Sequence, residues 1–309
     1  MKWSCGEFEF DLARRKLPLM MGILNITPDS FSDGGRFMSA NTQLQMDLIV
    51  QQAQQMMAAG ADILDIGAES SRPNAEPVSE QEELTRLIPV LDVIVPLAKR
   101  ANVAVSVDTY KANVMREALR RGVSIINDIS GFRSPDSLSV IKQNQCGVVV
   151  MHMQGTPKTM NEVAKYDNVC LEVWQMLSQR KHLLRASGIA QERIVLDPGI
   201  GFAKTTSHNV KLLRALADSV KHHLVLVGVS RKRFLGEIAA SDGEPEVPVS
   251  QRFAASIAAH LYAAGQGAHI LRVHDVAQTV QALRVWHELR TATRFGGSTE
   301  MKFELTNQR

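Results

Sequence analysis

Aromatic side chains make up only 5% of this 309-residue chain, and with aliphatic residues plentiful the composition suits parallel strands covered by helices. Cysteine is scarcer still. Cys5, Cys146 and Cys170 stand at spacings that fit neither a disulfide framework nor a zinc site. An excess of one charge sign is also missing: the formal net charge is +3, dispersed, with no block of like charges, which leaves no electrostatic footprint for nucleic acid. No apolar run approaches the ~18 residues of a membrane helix, and the opening "MKWSCGEFEF" lacks the apolar core of a signal peptide. The expected partner is therefore a small molecule, with neither nucleic acid nor membrane, and the expected compartment is the cytoplasm.

What the chain does contain is one pattern repeated. Its 45% hydrophobic content can bury a sizeable core, as two ordinary domains or one large α/β domain. Apolar strand-like runs appear at 22–26 ("GILNI"), 62–68 ("DILDIGA"), 103–109 ("VAVSVDT"), 124–130 ("SIINDIS"), 148–153 ("VVVMHM"), 193–199 ("RIVLDPG"), 224–230 ("LVLVGVS") and 270–276 ("ILRVHDV"). Helical stretches lie between them, among them "TQLQMDLIVQQAQQMMAAG", "SEQEELTRLIPVLDVIVPLAKR", "KANVMREALRRG" and "QRFAASIAAHLYAAGQG", several closing on Gly where a helix C-cap belongs. Eight alternations argue for a closed (β/α)8 TIM barrel over residues 19–292 rather than an open sheet. Residues 1–18 are expected to form an N-terminal hairpin or cap under the barrel, and 293–309 a mobile tail.

The links sort by length. Helix-to-strand links such as "AAGA" and "RRGV" are short, whereas strand-to-helix links such as "NITPDSFSDGGRFMSAN", "GAESSRPNAEPVS", "QGTPKTMNEVAKY" and "SRKRFLGEIAASDGEPEVPVSQ" are long, so function is expected on the strand-end side. The strand ends supply Asn25, Glu69, Asp108, Asn127, Asp197, Arg272 and His274, with Lys232 just after the seventh strand. Arg272 and His274 share a face by strand alternation, as do Met151 and Met153, with His152 opposite. Carboxylates and an amide accept from donors, while Arg, His and Lys bind acceptors or an anion. The ligand should be planar, polar and partly anionic.

Taken singly, each residue has a plainer reading. Asp108 or Asp197 could cap the helix that follows, Lys232 and Arg233 could be solvated charges, and Asp65 could be a satisfied barrel carboxylate outside the site. His208 and Asn209 read as helix-start residues. The joint placement of so many polar groups at strand ends favours a site.

In order, "MGILNITPDSFSDGG", "GADILDIGAESSRP", "SVDTYKANV", "IINDISG", "VMHMQGTPKTM", "LDPGIGFAKTTSHN", "VGVSRKRFLG" and "RVHDV" make residues 21–276 resemble the dihydropteroate synthase family of bacterial folate biosynthesis. The resemblance implies a transferase, the sulfonamide target, that joins 6-hydroxymethyl-7,8-dihydropterin pyrophosphate to p-aminobenzoate, releasing pyrophosphate by a dissociative route. It assigns Asp108, Asn127, Met151, Asp197, Gly228 and Lys232 to the pterin. Ser71, Arg72, Pro73, Phe202 and Lys232 fall to p-aminobenzoate, and Asn25, Arg272 and His274 to pyrophosphate, with magnesium as cofactor through Asn25. Asp108, Asp197, Lys232, Arg272 and His274 would be the catalytic set. A homodimer, paired through outer-wall helices, is implied as well.

The chain departs from the family's usual pattern at Ala68, Asn74 and Ala203, where Gly is common, and at Ser71, often Thr. Those positions bear on p-aminobenzoate more than on the pterin. Two other activities use the same inventory: a Schiff-base aldolase with Lys232 as nucleophile, its pKa lowered by Arg231 and Arg233, and a pterin-binding methyl carrier. The first leaves two carboxylates without a purpose. The second has no use for "SRKR", "SSRP" and "RVHDV".

Overall fold

In the computed structural model, which describes residues 1–27, 42–70, 75–160 and 162–291, the chain opens with a hairpin of β1 (Lys2–Cys5) and β2 (Phe8–Asp11). Alternate residues of β1, Trp3 and Cys5, are fully buried. Eight parallel strands follow: β3 (Leu19–Asn25), β4 (Ile63–Gly67), β5 (Ala104–Asp108), β6 (Ile125–Asp128), β7 (Gly147–Met151), β8 (Ile194–Asp197), β9 (Leu226–Val227) and β10 (Ile270–Val273). They pair in the order β8-β7-β6-β5-β4-β3-β10-β9. The ring closes where Leu196 bridges Val225 in parallel, the Leu196 N–H donating to the Leu224 carbonyl at 2.9 Å. This is the (β/α)8 barrel that the eight apolar runs predict.

Helices α1 (Thr42–Ala58), α2 (Glu80–Arg100), α3 (Ala112–Arg120), α4 (Pro135–Lys142), α5 (Val169–Ala186), α6 (Thr206–Arg214), α7 (Leu216–Ser219), α8 (Arg233–Ala239), α9 (Phe253–Gly265) and α10 (Val276–Thr291) connect and surround the strands. Strand alternation sorts the apolar residues into two cores. Leu24, Leu64, Val105, Ile126, Val150 and Leu271 face outward under the helices. Met21, Ile63, Ala104, Ile125, Val149, Val195 and Ile270 face the barrel axis, where Trp3 and Cys5 join them. The hairpin therefore plugs the barrel floor. The Trp3 indole N–H donates to the Arg193 carbonyl at 3.1 Å, satisfying the one polar atom of that large side chain.

One feature differs from the expectation. The stretch after the seventh strand, read as one long link, contains α8, which buries Phe234 and Leu235. A helix of 7 residues is too short to establish a 3.6-residue period, so its pattern is invisible in sequence. The expected tail, 293–309, lies outside the described residues.

His260 on α9 is 1% exposed, and among the described residues neither ring nitrogen has a hydrogen-bond partner. Burial holds its pKa down to about 4 from 6.5, against the pull of Asp275. The unfolded chain takes up this proton near pH 6.5 and the folded chain resists until about 4, so the contribution to stability is complete above that window and lost as pH falls through it. His260→Phe should remove about 3 kcal/mol of the stability lost between pH 7 and 4, measured by urea unfolding across that range. An unchanged slope would assign the loss to other groups.

Candidate active site at the barrel mouth

The period of two that builds the apolar floor also builds the polar tier above it. Asn25, Gly67, Asp108 and Asn127 lie in one register row across β3, β4, β5 and β6, and Asp65 points inward one repeat below Gly67. From β10, Arg272 reaches across the interior. Its Nε donates to Asp65 Oδ2 at 2.6 Å and its Nη2 to Asp108 Oδ2 at 2.8 Å. Asn127 Nδ2 donates to the same Asp65 oxygen at 3.2 Å, while Asp65 Oδ1, fully buried, has no partner among the described residues.

Burial opposes the charge on Arg272, yet Asp65 and Asp108 more than offset it and hold its pKa above the ordinary value. Burial raises the pKa of Asp108; Arg272 opposes that shift, and the nearby carboxylates of Asp65 and Glu83 add to it. Asp108 and Arg272, expected to meet different parts of the substrate, are thus paired to each other here. Opposite charges within reach in an interior of low polarity attract strongly.

Across the mouth, β8 ends on Asp197. Its Oδ1 accepts the Gly199 N–H at 2.7 Å, so the carboxylate braces its own loop. It does not cap α6: Thr205 does, in a capping box with His208, while Asn209 Oδ1 accepts the Gly201 N–H at 2.7 Å. Two glycines in this loop are constrained, Gly199 by a neighbouring backbone and Gly201 by its own backbone angle. A Cβ on Gly199 would stand 2.0 Å from the His152 carbonyl oxygen, and one on Gly201 would stand 2.8 Å from Lys232 Cδ; both have positive φ. The lysine stem runs over Gly201, its Nζ bonding the Ile200 carbonyl and lying 4.5 Å from the Phe202 ring centroid.

Burial raises the pKa of Asp197 against the pull of Lys232, and burial lowers Lys232 to about 8 although Asp197 opposes. The neighbours expected to depress Lys232 are turned away, Arg231 onto Asp275 and Arg233 onto Glu246; burial is the cause, with Arg272 the cation that adds to it. A second lysine, Lys204, donates to the Phe202 carbonyl at 2.9 Å and sits 3.0 Å from His152 Nδ1. Burial lowers Lys204 to about 7 and His152 to about 3.

The remaining predicted residues divide clearly. Met151 and Met153 pack in one apolar cluster with Ile129, Met160 and Ala203, and Phe202 packs against it. Gly228 lies beside the Arg272 stem, where an added Cβ would be 3.6 Å from Arg272 Cβ. The His274 N–H and Nδ1 both meet Ser230 Oγ, at 3.3 and 3.0 Å. Ser71, Arg72, Pro73 and Asn74 lie outside the described residues. Glu69 turns to Tyr110 and Lys111. Sequence reasoning set Asp65 aside and did not name Lys204, Tyr110 or Lys111; for Asp65 the inward alternation through Gly67 was the available signal. No three His, Cys, Asp or Glu side chains among the described residues group closely enough to hold a metal ion.

Ala203, buried at 1%, has φ 49, a left-handed conformation costing a non-glycine residue about 1–2 kcal/mol. Ala203→Gly should relieve that cost, offset by about 0.5–1 kcal/mol of added chain entropy, for a net change between zero and about 1.5 kcal/mol in favour of folding. Ala203→Val should lose more than about 2 kcal/mol, since a β-branched residue is a genuine outlier there. Equal stability of the two variants in chemical denaturation would contradict the strain.

The model of the pterin binding enzyme family matches residues 21–274. Among curated relatives, the dihydropteroate synthase of Escherichia coli K12 is 46% identical over 271 residues, spanning 87% of this chain and 90% of that one. Among solved structures, a Yersinia pestis dihydropteroate synthase in a sulfonamide drug complex aligns with TM-score 0.82 at 41% identity, covering 94% of this chain and 99% of that one. The Burkholderia cenocepacia enzyme complexed with 7,8-dihydropteroate aligns with TM-score 0.80 at 42% identity, covering 95% and 98%. A barrel of this register, with Asp108, Asn127, Asp197 and Lys232 at its mouth and relatives matched over nearly their whole length, belongs to the pterin-binding enzymes and, among them, to the dihydropteroate synthase family.

Proposed function

We propose that the chain condenses 6-hydroxymethyl-7,8-dihydropterin pyrophosphate with p-aminobenzoate to give 7,8-dihydropteroate and pyrophosphate, as a transferase of folate biosynthesis. The observation that carries the reading is the pairing, on one mouth, of a buried strand-end carboxylate, Asp197, with Lys232 arched over Phe202. A pterin presents a 2-amino and N3–H edge with two parallel donors, and a carboxylate is the matching bidentate acceptor. Asp197 takes that edge. Asn127 serves a ring nitrogen and the amino group, Lys232 donates to the ring carbonyl, and Met151 and Gly228 border the ring. Ser71, Arg72, Pro73, Phe202 and Lys232 are the residues proposed to receive p-aminobenzoate, for which a sulfonamide would compete.

Arg272, His274 and Asn25 receive the pyrophosphate. In this role Arg272 exchanges its contact with Asp108 for phosphate oxygens while Asp65 keeps its stem in place, and Asp108 becomes free to accept from the ring N8–H. Asn25 is the side chain that would hold magnesium, a metal that a single protein oxygen ligand beside a phosphate-bearing substrate can suit. The metal supplies positive charge to the departing pyrophosphate. We further propose a homodimer, supported by the exposed apolar Ile238, Phe253, Tyr262 and Val285 on α8 to α10, and a cytoplasmic location. No described helix is long and apolar enough to cross a membrane.

The arylamine is a weak nucleophile, and an electron-rich dihydropterin stabilises a cation at its exocyclic methylene. Carbon–oxygen cleavage therefore precedes attack: the pyrophosphate leaves with the bonding electron pair, its growing charge met by Arg272 and His274, and the amine then adds to the methylene and loses a proton. Pterin pyrophosphate labelled with oxygen-18 at the bridge should scramble its label on the enzyme with magnesium and no p-aminobenzoate, more slowly in Arg272→Ala. Fast turnover without scrambling, with pyrophosphate free to rotate, would replace this route by direct displacement.

Release of pyrophosphate on mixing the two substrates tests the reaction itself. Asp197→Asn should weaken binding of a simple pterin by roughly ten- to a hundredfold, the cost of about 1–3 kcal/mol for turning an amide donor against buried donors, while the unfolding midpoint stays near wild type. Unchanged affinity would remove Asp197 from the site.

A further inference from the structure

Tyr110 is two residues beyond Asp108, on the loop after β5, and is half-buried against the apolar cluster of Ile129, Met151, Met153, Met160 and Ala203 at the mouth. Phe202 packs against the same cluster. Two aromatic rings from separate strand-end loops, one after β5 and one after β8, thus share one apolar patch above the polar tier. A flat ring whose polar edge is held by Asn127 and Asp197 has its faces left to meet apolar groups, and aromatic side chains at a site's rim serve that purpose.

Tyr110 is held there by a brace. Its hydroxyl donates to Glu69 Oε1 at 3.0 Å, and the Val78 N–H donates to the same oxygen at 3.3 Å. Glu69 Oε2 pairs with Lys111 Nζ, which also bonds Glu83 Oε2 at 2.5 Å. The Lys111 ammonium lies 5.0 Å from the Tyr110 ring centroid. Glu83 is 1% exposed on α2 and is therefore fixed by packing. A buried carboxylate anchors the lysine, the lysine anchors Glu69, and Glu69 fixes the phenol. Tyrosine alone on a loop would sample several rotamers; three successive charged or hydrogen-bonded contacts leave it one.

We propose that Tyr110 forms part of the substrate-facing wall of the mouth, packing against the face of the bound dihydropterin, and that Glu69, Lys111 and Glu83 are positioning residues that hold it in place. The proposal rests on the reading of the mouth as a pterin site. It makes Tyr110 a binding residue and Lys111 a group that acts only through it.

The test is calorimetric titration of the full-length protein with 6-hydroxymethylpterin, alongside the p-aminobenzoate KM and thermal unfolding. Tyr110→Ala should raise the pterin Kd about tenfold, the usual loss when an aromatic stacking partner is removed, with the p-aminobenzoate KM within about threefold. Tyr110→Phe, which removes only the bond to Glu69, should raise the Kd about two- to threefold. Lys111→Met combined with Glu83→Gln avoids stranding two carboxylates; it should weaken pterin binding as Tyr110→Phe does, and added to Tyr110→Ala it should cost nothing further. A pterin Kd within twofold of wild type in Tyr110→Ala, or a rise in the p-aminobenzoate KM alone, overturns the wall. Additive losses overturn the positioning role, and if the Lys111 variant fails to fold, an unchanged Kd in Tyr110→Phe does the same. Wild-type protein that does not bind the pterin overturns the underlying reading instead.

Discussion

A guanidinium held inside the barrel is the condition on which the rest of the mouth depends. Arg272 enters from β10 and can be tolerated there only because Asp65 and Asp108 approach it from β4 and β5. Removing either partner of such a buried pair leaves an uncompensated charge, typically costing 3–5 kcal/mol. Asn127 is drawn into the same set through Asp65. The polar tier therefore behaves as one unit, whose members cannot be exchanged singly without rearranging the others.

What lies beneath the tier makes it strong. The hairpin seals the floor with Trp3 and Cys5, and the inward residues of the lower strands are aliphatic. Water is kept from that side, so the electrostatic interactions above act in a medium of low polarity. The consequences appear on four titrating groups around the mouth. Carboxylates at Asp108 and Asp197 are pushed up, and lysines at Lys204 and Lys232 are pulled down, in each case with burial as the leading cause. A site in that condition suits a ligand whose donors and anionic groups pair with these side chains, as those of the proposed pterin pyrophosphate do.

Much of this architecture was legible in the chain because two simple periods govern it. Apolar runs ending on Asn25, Asp108, Asn127, Asp197 and Arg272 located both the strands and the polar rim, since alternation sends those ends inward. Asp65 is set aside because a mid-strand carboxylate reads as a satisfied barrel residue, although alternation through Gly67 turns it toward the same axis. The helix α8 was hidden by its brevity. Tyr110 and Lys111 were hidden for another reason: their partners, Glu69 and Glu83, are 41 and 28 residues away respectively, and only the parallel pairing of β4 with β5 brings the segments that follow them together.

By itself, then, the sequence determined the barrel, the side on which its long loops gather and the residue types available at each strand end, because those follow from local periodicity and loop composition. Only the tertiary structure decided which of those residues meet. It pairs Arg272 with Asp65 and Asp108, sets Lys232 over Phe202, and braces Tyr110 through Lys111. Such contacts depend on strand stagger and on the burial of charge, and both exist only once the eight strands have closed around a dry interior.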